Sequence, residues 1–390
     1  MSSRIFALVL TFCFTGLFAQ TYQPVYGEIV GQVSQQNVID KVTAFANLGV
    51  KFRGTEAQAN ALEWLKDQYE SFGYLPSQIV EDPFTYSGTT CKNLVVTKAG
   101  TVYPNKFVIV CGHYDTVNGP GANDNGSGVT AILEAARVLQ NVPTEYSIKF
   151  IHFAGEEDGL RGSQHYVNNV VNGTSPKMDI RLVFNIDQVG GVAGQLNNTI
   201  TCERDMSNPG LNNGSSSLMT SQLATCVGLY SPLNTVISNA YGSDYVPFQN
   251  NMEIITGLYE TNESPHPHTP NDIVANMDPV FLYNVTKAAT GAILHFAVAC
   301  TTCTLGNGEM ADDQIVAWPI PTTIQLNIST SKFAGQPVSL SVTDVNGKRL
   351  MQKAFTATQT YTLDVSQLSA GAYILILETS DKVLKRKFTK

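Results

Sequence analysis

The stretch that decides the fold is Phe107-Val108-Ile109-Val110-Cys111-Gly112-His113-Tyr114-Asp115. Its apolar run carries no alternation, so it reads as a strand covered on both faces; a strand with one wet face would alternate. A histidine and an aspartate follow where that strand should turn. Next, Asn123-Asp124-Asn125-Gly126-Ser127-Gly128 opens an alanine-rich helix, Gly126 to Gln140, with Val129, Ile132, Leu133 and Ala136 inward.

The same grammar repeats downstream. A strand from Ser147 to Phe153 precedes Gly155-Glu156-Glu157, a helix spans Leu160 to Val171, and a strand from Arg181 to Ile186 precedes Asp187. Pro267-His268-Thr269-Pro270-Asn271-Asp272 lies before a long helix, about Pro279 to Ala299. Upstream, Val38 to Leu48 and Thr55 to Phe72 have helical spacing, and Ile79 to Tyr86 and Asn93 to Thr97 read as strands. This alternation predicts an α/β fold: a mostly parallel, mixed central sheet covered by helices on both faces. Gly190 to Ser217, rich in Asn, Ser and Gly, reads as a surface insertion.

A chain of 390 residues exceeds one ordinary domain. Hydrophobic content of 43% against 14% charged is that of a well-buried globular protein. A net charge of −8 with no basic patch in the main body argues against nucleic acid as a partner. Residues 1–19 read as a secretory signal: Arg4, an apolar run to Phe18, then small Ala19. That run is short for a membrane span, which needs about 20 residues, and no later segment is long and apolar enough. Export permits disulfides. Cys300 with Cys303 and Cys202 with Cys226 are candidate pairs, whereas Cys111 reads as a buried thiol.

The expected organisation is a signal at 1–19, a catalytic domain at 20–303, a polar linker at 304–317 and a small C-terminal β-sandwich at 318–390. In the last, Asn346-Gly347 is a hairpin turn between Val338–Asp344 and Arg349–Phe355.

Zinc takes imidazole and carboxylate ligands, and a catalytic zinc keeps a position open for water. Two such ions about 3.5–4 Å apart form a clamp that needs a shared carboxylate. His113, Asp124, Glu157, Asp187 and His268 supply five candidate ligands, and Glu156 a spare carboxylate. Adjacent residues of an extended chain point to opposite faces, so one member of Glu156-Glu157 can bind metal while the other serves as a base. Each group alone has a plain structural explanation. A Glu-Glu pair is ordinarily a solvated surface, Asp124 would cap the helix after it, and a histidine beside prolines suits a loop. Their co-occurrence outweighs these. Most of them end a strand or begin a helix, at the ligand-binding edge of an open α/β sheet.

In this order the residues resemble the co-catalytic di-zinc aminopeptidases of clan MH, a group that also includes glutaminyl cyclases. The likeness covers about residues 36–300, and Arg53-Gly54-Thr55 matches the opening motif. The resemblance implies a zinc exopeptidase fold holding two Zn2+, with Asp124 bridging, His113 and Asp187 completing one site, and Glu157 and His268 the other. Glu156 would be the general base toward metal-bound water. It also implies that Asp115 orients His113 and Asp272 orients His268, that the Asp124–Asn125 peptide is cis, and that substrates are peptides with a free amino terminus. His268, not His266, fits the pattern His-Thr-Pro-Asn-Asp. Ser243-Asp244-Tyr245 departs from the Ser-Asp-His of many relatives. Tyr241 or Tyr245 is then either a donor to the oxyanion or an ordinary core or rim residue. The alternatives are a single-zinc glutaminyl cyclase and a metal-free binding ectodomain. Against the first, Glu157 continues as Asp158-Gly159-Leu160-Arg161-Gly162-Ser163, the short peptidase-like form; against the second, all five ligand positions and the base are present.

Residues 318–390 resemble the C-terminal sorting domain of the type-IX (Por) secretion system. The carrying residues are Trp318-Pro319-Ile320-Pro321, Asp344-Val345-Asn346-Gly347-Lys348, the run from Leu363 to Tyr373, and Lys385-Arg386-Lys387-Phe388. This implies a Gram-negative source, periplasmic transit, engagement of the secretion machinery, and a secreted or outer-surface destination with the module removed at the linker.

Overall fold

The computed structural model describes residues 20–300 and, beyond them, 317–318, 322, 324–330, 333–344, 348–379 and 383–390. The expected signal, all but the last residue of the linker, and the Asn346-Gly347 turn lie outside the described residues. The chain divides into two compact units, 1–303 and 304–390.

In chain order the first unit holds α1 (Pro24–Val30), α2 (Gln35–Asn47), α3 (Glu56–Ser71), β1 (Ile79–Tyr86), β2 (Thr89–Lys98), β3 (Tyr103–His113) and α4 (Gly126–Leu139). Then follow β4 (Tyr146–Phe153), α5 (Arg161–Tyr166), β5 (Asp179–Ile186), β6 (Thr199–Arg204), α6 (Asn213–Tyr230), β7 (Asn234–Asn239), α7 (Tyr245–Asn250), β8 (Ile255–Glu260) and α8 (Pro279–Phe296). The sheet has eight strands in the order β1-β2-β4-β3-β5-β8-β6-β7. Its centre, β4-β3-β5-β8, is parallel; β2 meets β4, and β6 meets β8, antiparallel. The mixed, helix-covered sheet is the one expected from the alternation.

Alternate residues of β3 serve opposite faces, which is why its sequence is apolar throughout. Ile109 and Cys111 join Phe153, Tyr166, Val183 and Phe248 in one cluster, on the side of α5 and α7. The other face packs against α4, which lies on α8 and α2. The cap of α4 is Asn125, not Asp124: its Oδ1 accepts the Gly128 N–H at 2.9 Å. Asp124 is thereby free for other work. Gly112 and Gly128 allow the end of β3 and the start of α4 to close on β5, since a Cβ at either would lie 2.6 or 2.2 Å from the Ile186 carbonyl oxygen.

Two expectations fail. Gly190 to Ser217 is no mere insertion, because it contains β6, with Ile200 and Cys202 fully buried between β8 and β7. Six residues interleaved with Thr and Glu were too short and too polar to signal a strand. Cys202 and Cys226 are free buried thiols, packed as small hydrophobes and not bridged. Cys91 and Cys111 are also free and buried, the latter as expected. Cys300 is disulfide-bonded; its expected mate, Cys303, lies outside the described residues.

The second unit pairs a three-stranded sheet, β13-β10-β9, with a four-stranded one, β12-β11-β14-β15. The strands are β9 (Ala317–Trp318), β10 (Gln325–Ser329), β11 (Pro337–Asp344), β12 (Arg349–Thr356), β13 (Thr360–Asp364), β14 (Ala372–Glu378) and β15 (Val383–Thr389). Leu326, Ile328 and Leu363 from the first sheet share one core with Val338, Leu340, Val342, Leu375, Leu377 and Phe388 from the second. That is a small antiparallel β-sandwich. Among the described residues no helix is long and apolar enough to cross a membrane.

His152 on β4 is fully buried and 2.9 Å from the Tyr69 hydroxyl of α3. Burial lowers its pKa from 6.5 to about 3. The unfolded chain therefore takes up this proton first on acidification. The stability tied to the neutral ring is complete well above pH 6.5 and drains away as pH falls toward 3. Between pH 8 and 5 the loss is about 2 kcal/mol. Urea denaturation at the two pH values should show a smaller acid loss in His152→Phe than in the parent; equal losses would exclude the effect.

Candidate metal centre

The parallel register carries the ends of four strands to one rim, with His113 opposite Phe153, Cys111 opposite Asn185 and Ile186 opposite Leu258. His113 is the last residue of β3 and 1% exposed. Its Nδ1 lies 3.1 Å from the Asp115 carbonyl oxygen. A carbonyl only accepts, so Nδ1 carries the hydrogen and Nε2 presents its lone pair to the rim.

Asp124 sits before α4, and its peptide to Asn125 is cis, as the resemblance implies. The backbone N–H groups of Asn123 and Asp124 donate to Asp272 Oδ1 and Oδ2 at 2.8 and 3.0 Å. Glu156 and Glu157 occupy the turn after β4, which opens on Gly155 at φ 70° and is closed by the Arg161 N–H to the Gly155 carbonyl at 2.8 Å. Both glutamate N–H groups donate to the Asp115 carboxylate, at 3.2 Å each. Asp187 follows β5; its Oδ2 accepts the Ser243 hydroxyl at 2.6 Å, and Ser243 Oγ accepts from Asn185 Nδ2 at 2.8 Å. His268 lies on the loop after β8 at φ 58°.

These residues meet in two triads. His113 Nε2 is 3.2 Å from Asp124 Oδ1 and 3.4 Å from Asp187 Oδ1. His268 Nε2 is 3.2 Å from Asp124 Oδ2 and 2.9 Å from Glu157 Oε2. Asp124 thus places one oxygen in each triad. Ligand atoms of His113, Asp124 and Glu157 lie within 4.8 Å of one another.

The donor set fits zinc. Bonds of about 2.0–2.2 Å in a tetrahedron put neighbouring ligand atoms roughly 3.3 Å apart, the spacing of three of the four contacts. Asp124 Oδ2, Asp187 Oδ1 and Glu157 Oε1 are buried without a hydrogen-bond partner, although buried oxygens seldom go unsatisfied. The charge balance agrees. Burial pushes the Glu156 carboxyl well up, with Asp244, Asp187 and Asp115 adding and His113 opposing. Burial likewise raises Glu157 to about 8, although His113 and His268 pull the other way. Against its own burial, His113 is held well above the usual range by Asp187, Glu156 and Asp124. So many carboxylates around two imidazoles ask for positive charge between them.

Every candidate ligand therefore converges on one rim, with Glu156 at its edge. Asp115 and Asp272 play different parts from those implied. The Asp115 carbonyl, not its carboxylate, holds His113, since the carboxylate is 3.8 Å from Nδ1 and is engaged by Glu156 and Glu157. Asp272 fixes the backbone of Asp124, not His268. Tyr245 is 1% exposed and donates to Glu203 Oε2 at 2.8 Å, a core role; Tyr241 is 59% exposed. The support that Asn185 gives Asp187 through Ser243 carries no sequence signal. Residues 185 and 243 become neighbours only through the fold.

This chain belongs to Peptidase family M28, whose model matches residues 93–293, more than half of it. Residues 316–390 match the secretion system C-terminal sorting domain, which directs type-IX export to the cell surface or outside. The sequence is 31% identical to the aminopeptidase YwaD of Bacillus subtilis over 215 residues, covering 53% of this chain and 45% of that protein. The chain thus spans about half the length of the curated relatives it matches. The solved structures that share the fold include these two. One is the Legionella pneumophila LapA aminopeptidase (TM-score 0.62, 22% identity, 75% of this chain and 80% of that one). The other is the Fimbriiglobus ruber glutaminyl cyclase (TM-score 0.54, 16% identity, 67% and 95%).

Replacing one Asp272 oxygen by an amide, as in Asp272→Asn, turns N–H groups toward each other. Zinc affinity in competition with a chelator should fall about tenfold to a hundredfold. Unchanged affinity would remove Asp272 from the support of Asp124.

Proposed function

We propose that the chain is a secreted di-zinc aminopeptidase that removes amino-terminal residues from peptides. The observation that carries this is the division of Asp124, with one oxygen toward the His113–Asp187 pair and the other toward His268–Glu157. Those five side chains would hold two Zn2+, which supply Lewis acidity, lowering the pKa of water and polarising a carbonyl.

The chain's own residues do the rest. Glu156 takes a proton from the attacking water and returns it to the departing amine. Asp115 sets its place by accepting its backbone N–H, and the same carboxylate holds Glu157, so base and ligand are positioned together. Ser243 donates to Asp187 Oδ2, leaving Oδ1 to face His113. The free α-amino group of a peptide lies against the surplus of carboxylates, which selects chain ends over interiors. Residues 1–19 are removed as a signal on export. The module at 318–390 engages the secretion machinery and is cut away at the linker, 304–317, leaving 20–303 as the catalytic domain.

Glu156→Gln should keep its zinc and lose about 10²–10⁴ in turnover of an amino-terminal chromogenic amide; normal turnover would remove the base. Asp124→Ala should empty both positions, read as zinc per chain after dialysis, and loss of one ion alone would argue against bridging. One zinc in the parent, with cyclisation of amino-terminal glutamine, would turn the reading to cyclase chemistry.

A further inference from the structure

Glu260, the last residue of β8, is 1% exposed. Among the described residues it forms no ion pair with a lysine or arginine; burial raises its pKa to about 7, and the N–H groups on its oxygens pull the other way. Oε1 accepts from Asn123 Nδ2 at 2.9 Å and from the Ser264 N–H at 2.7 Å, and Oε2 accepts from the Gly191 N–H at 2.8 Å. Asn123 extends the link, its Oδ1 accepting the Gly190 N–H at 2.8 Å. Gly190 is required there, because a Cβ on it would lie 2.5 Å from that oxygen.

The donors come from three separate loops. Asn123 precedes Asp124, Gly190 and Gly191 follow Asp187, and Ser264 begins the segment that carries His268 and Asp272. An isolated buried carboxylate is expensive unless fully hydrogen-bonded, and nothing in the proposed reaction uses this one.

We propose that Glu260 is a positioning residue for the metal centre, fastening the loops of Asp124, Asp187 and His268 to one carboxylate so that their ligand atoms face one another. This rests on the reading of the two triads as zinc sites. A carboxylate suits the task because it only accepts. Glutamine has the same shape but turns an amide N–H2 toward at least one of the three donors. Aspartate keeps the charge but draws it back by one methylene.

The test is zinc affinity by chelator competition, together with the thermal midpoint of the chelated protein, in Glu260→Gln, Glu260→Asp and Glu134→Gln. Glu134 serves as control, since it is equally buried but tied to Lys41 and Arg137, away from the rim. Glu260→Gln should weaken zinc binding about tenfold to a hundredfold, with Glu260→Asp between it and the parent. Glu134→Gln should lower the thermal midpoint and leave zinc affinity alone. Parent-like affinity in Glu260→Gln, or an equal loss in Glu134→Gln, overturns the proposal. If Glu260→Gln does not fold, Glu260→Asp decides, and parent-like affinity in it overturns the proposal. A parent that binds no zinc sinks the metal-centre reading itself, a result distinct from any of these.

Discussion

The carboxylate of Asp124 lies between two imidazoles, 3.2 Å from each Nε2. Bringing it there takes three independent supports. Asp272 accepts its N–H. Asn125 takes over the cap of α4 that Asp124 would otherwise serve. His113 is turned to it by a carbonyl two residues on. Lose any one, and the two triads no longer share that carboxylate. The surrounding acids then only crowd one another at a largely buried rim, where unit charges interact far more strongly than in water.

A common device runs through the site. Asp115, Asp272 and Glu260 each use a carboxylate to grip backbone N–H groups of the loops that bear the ligands. Backbone donors are fixed by the local turn, so these acids orient whole segments and not single side chains. The parallel sheet makes this workable: consecutive crossovers return the chain to the same edge, and every loop leaving that edge is a neighbour of the others.

Much of this was legible beforehand. The unbroken apolar run of β3 specified a doubly covered strand, and the acids and histidines set after β3, β4 and β5 specified the rim. What stayed hidden depended on distance through space. Asp272 reads as a natural partner for His268, four residues away, yet its oxygens serve Asn123 and Asp124, about 150 positions upstream in the chain. Glu260 closes an ordinary-looking strand, and only the position of β8 beside β5 brings it to Asn123. The short strand β6 was lost for a related reason. Its burial comes from a place between β8 and β7, not from any pattern of its own.

Four buried cysteines, at 91, 111, 202 and 226, remain thiols in a protein routed outward through an oxidising compartment. Buried within β2, β3, β6 and α6, they are out of reach of oxidants for as long as the chain stays closed. Maturation is consequently a race in which collapse has to outpace sulfur chemistry. A molecule that opens after export exposes unpaired sulfhydryls to wrong cross-links, which makes its working lifetime a matter of how slowly it opens.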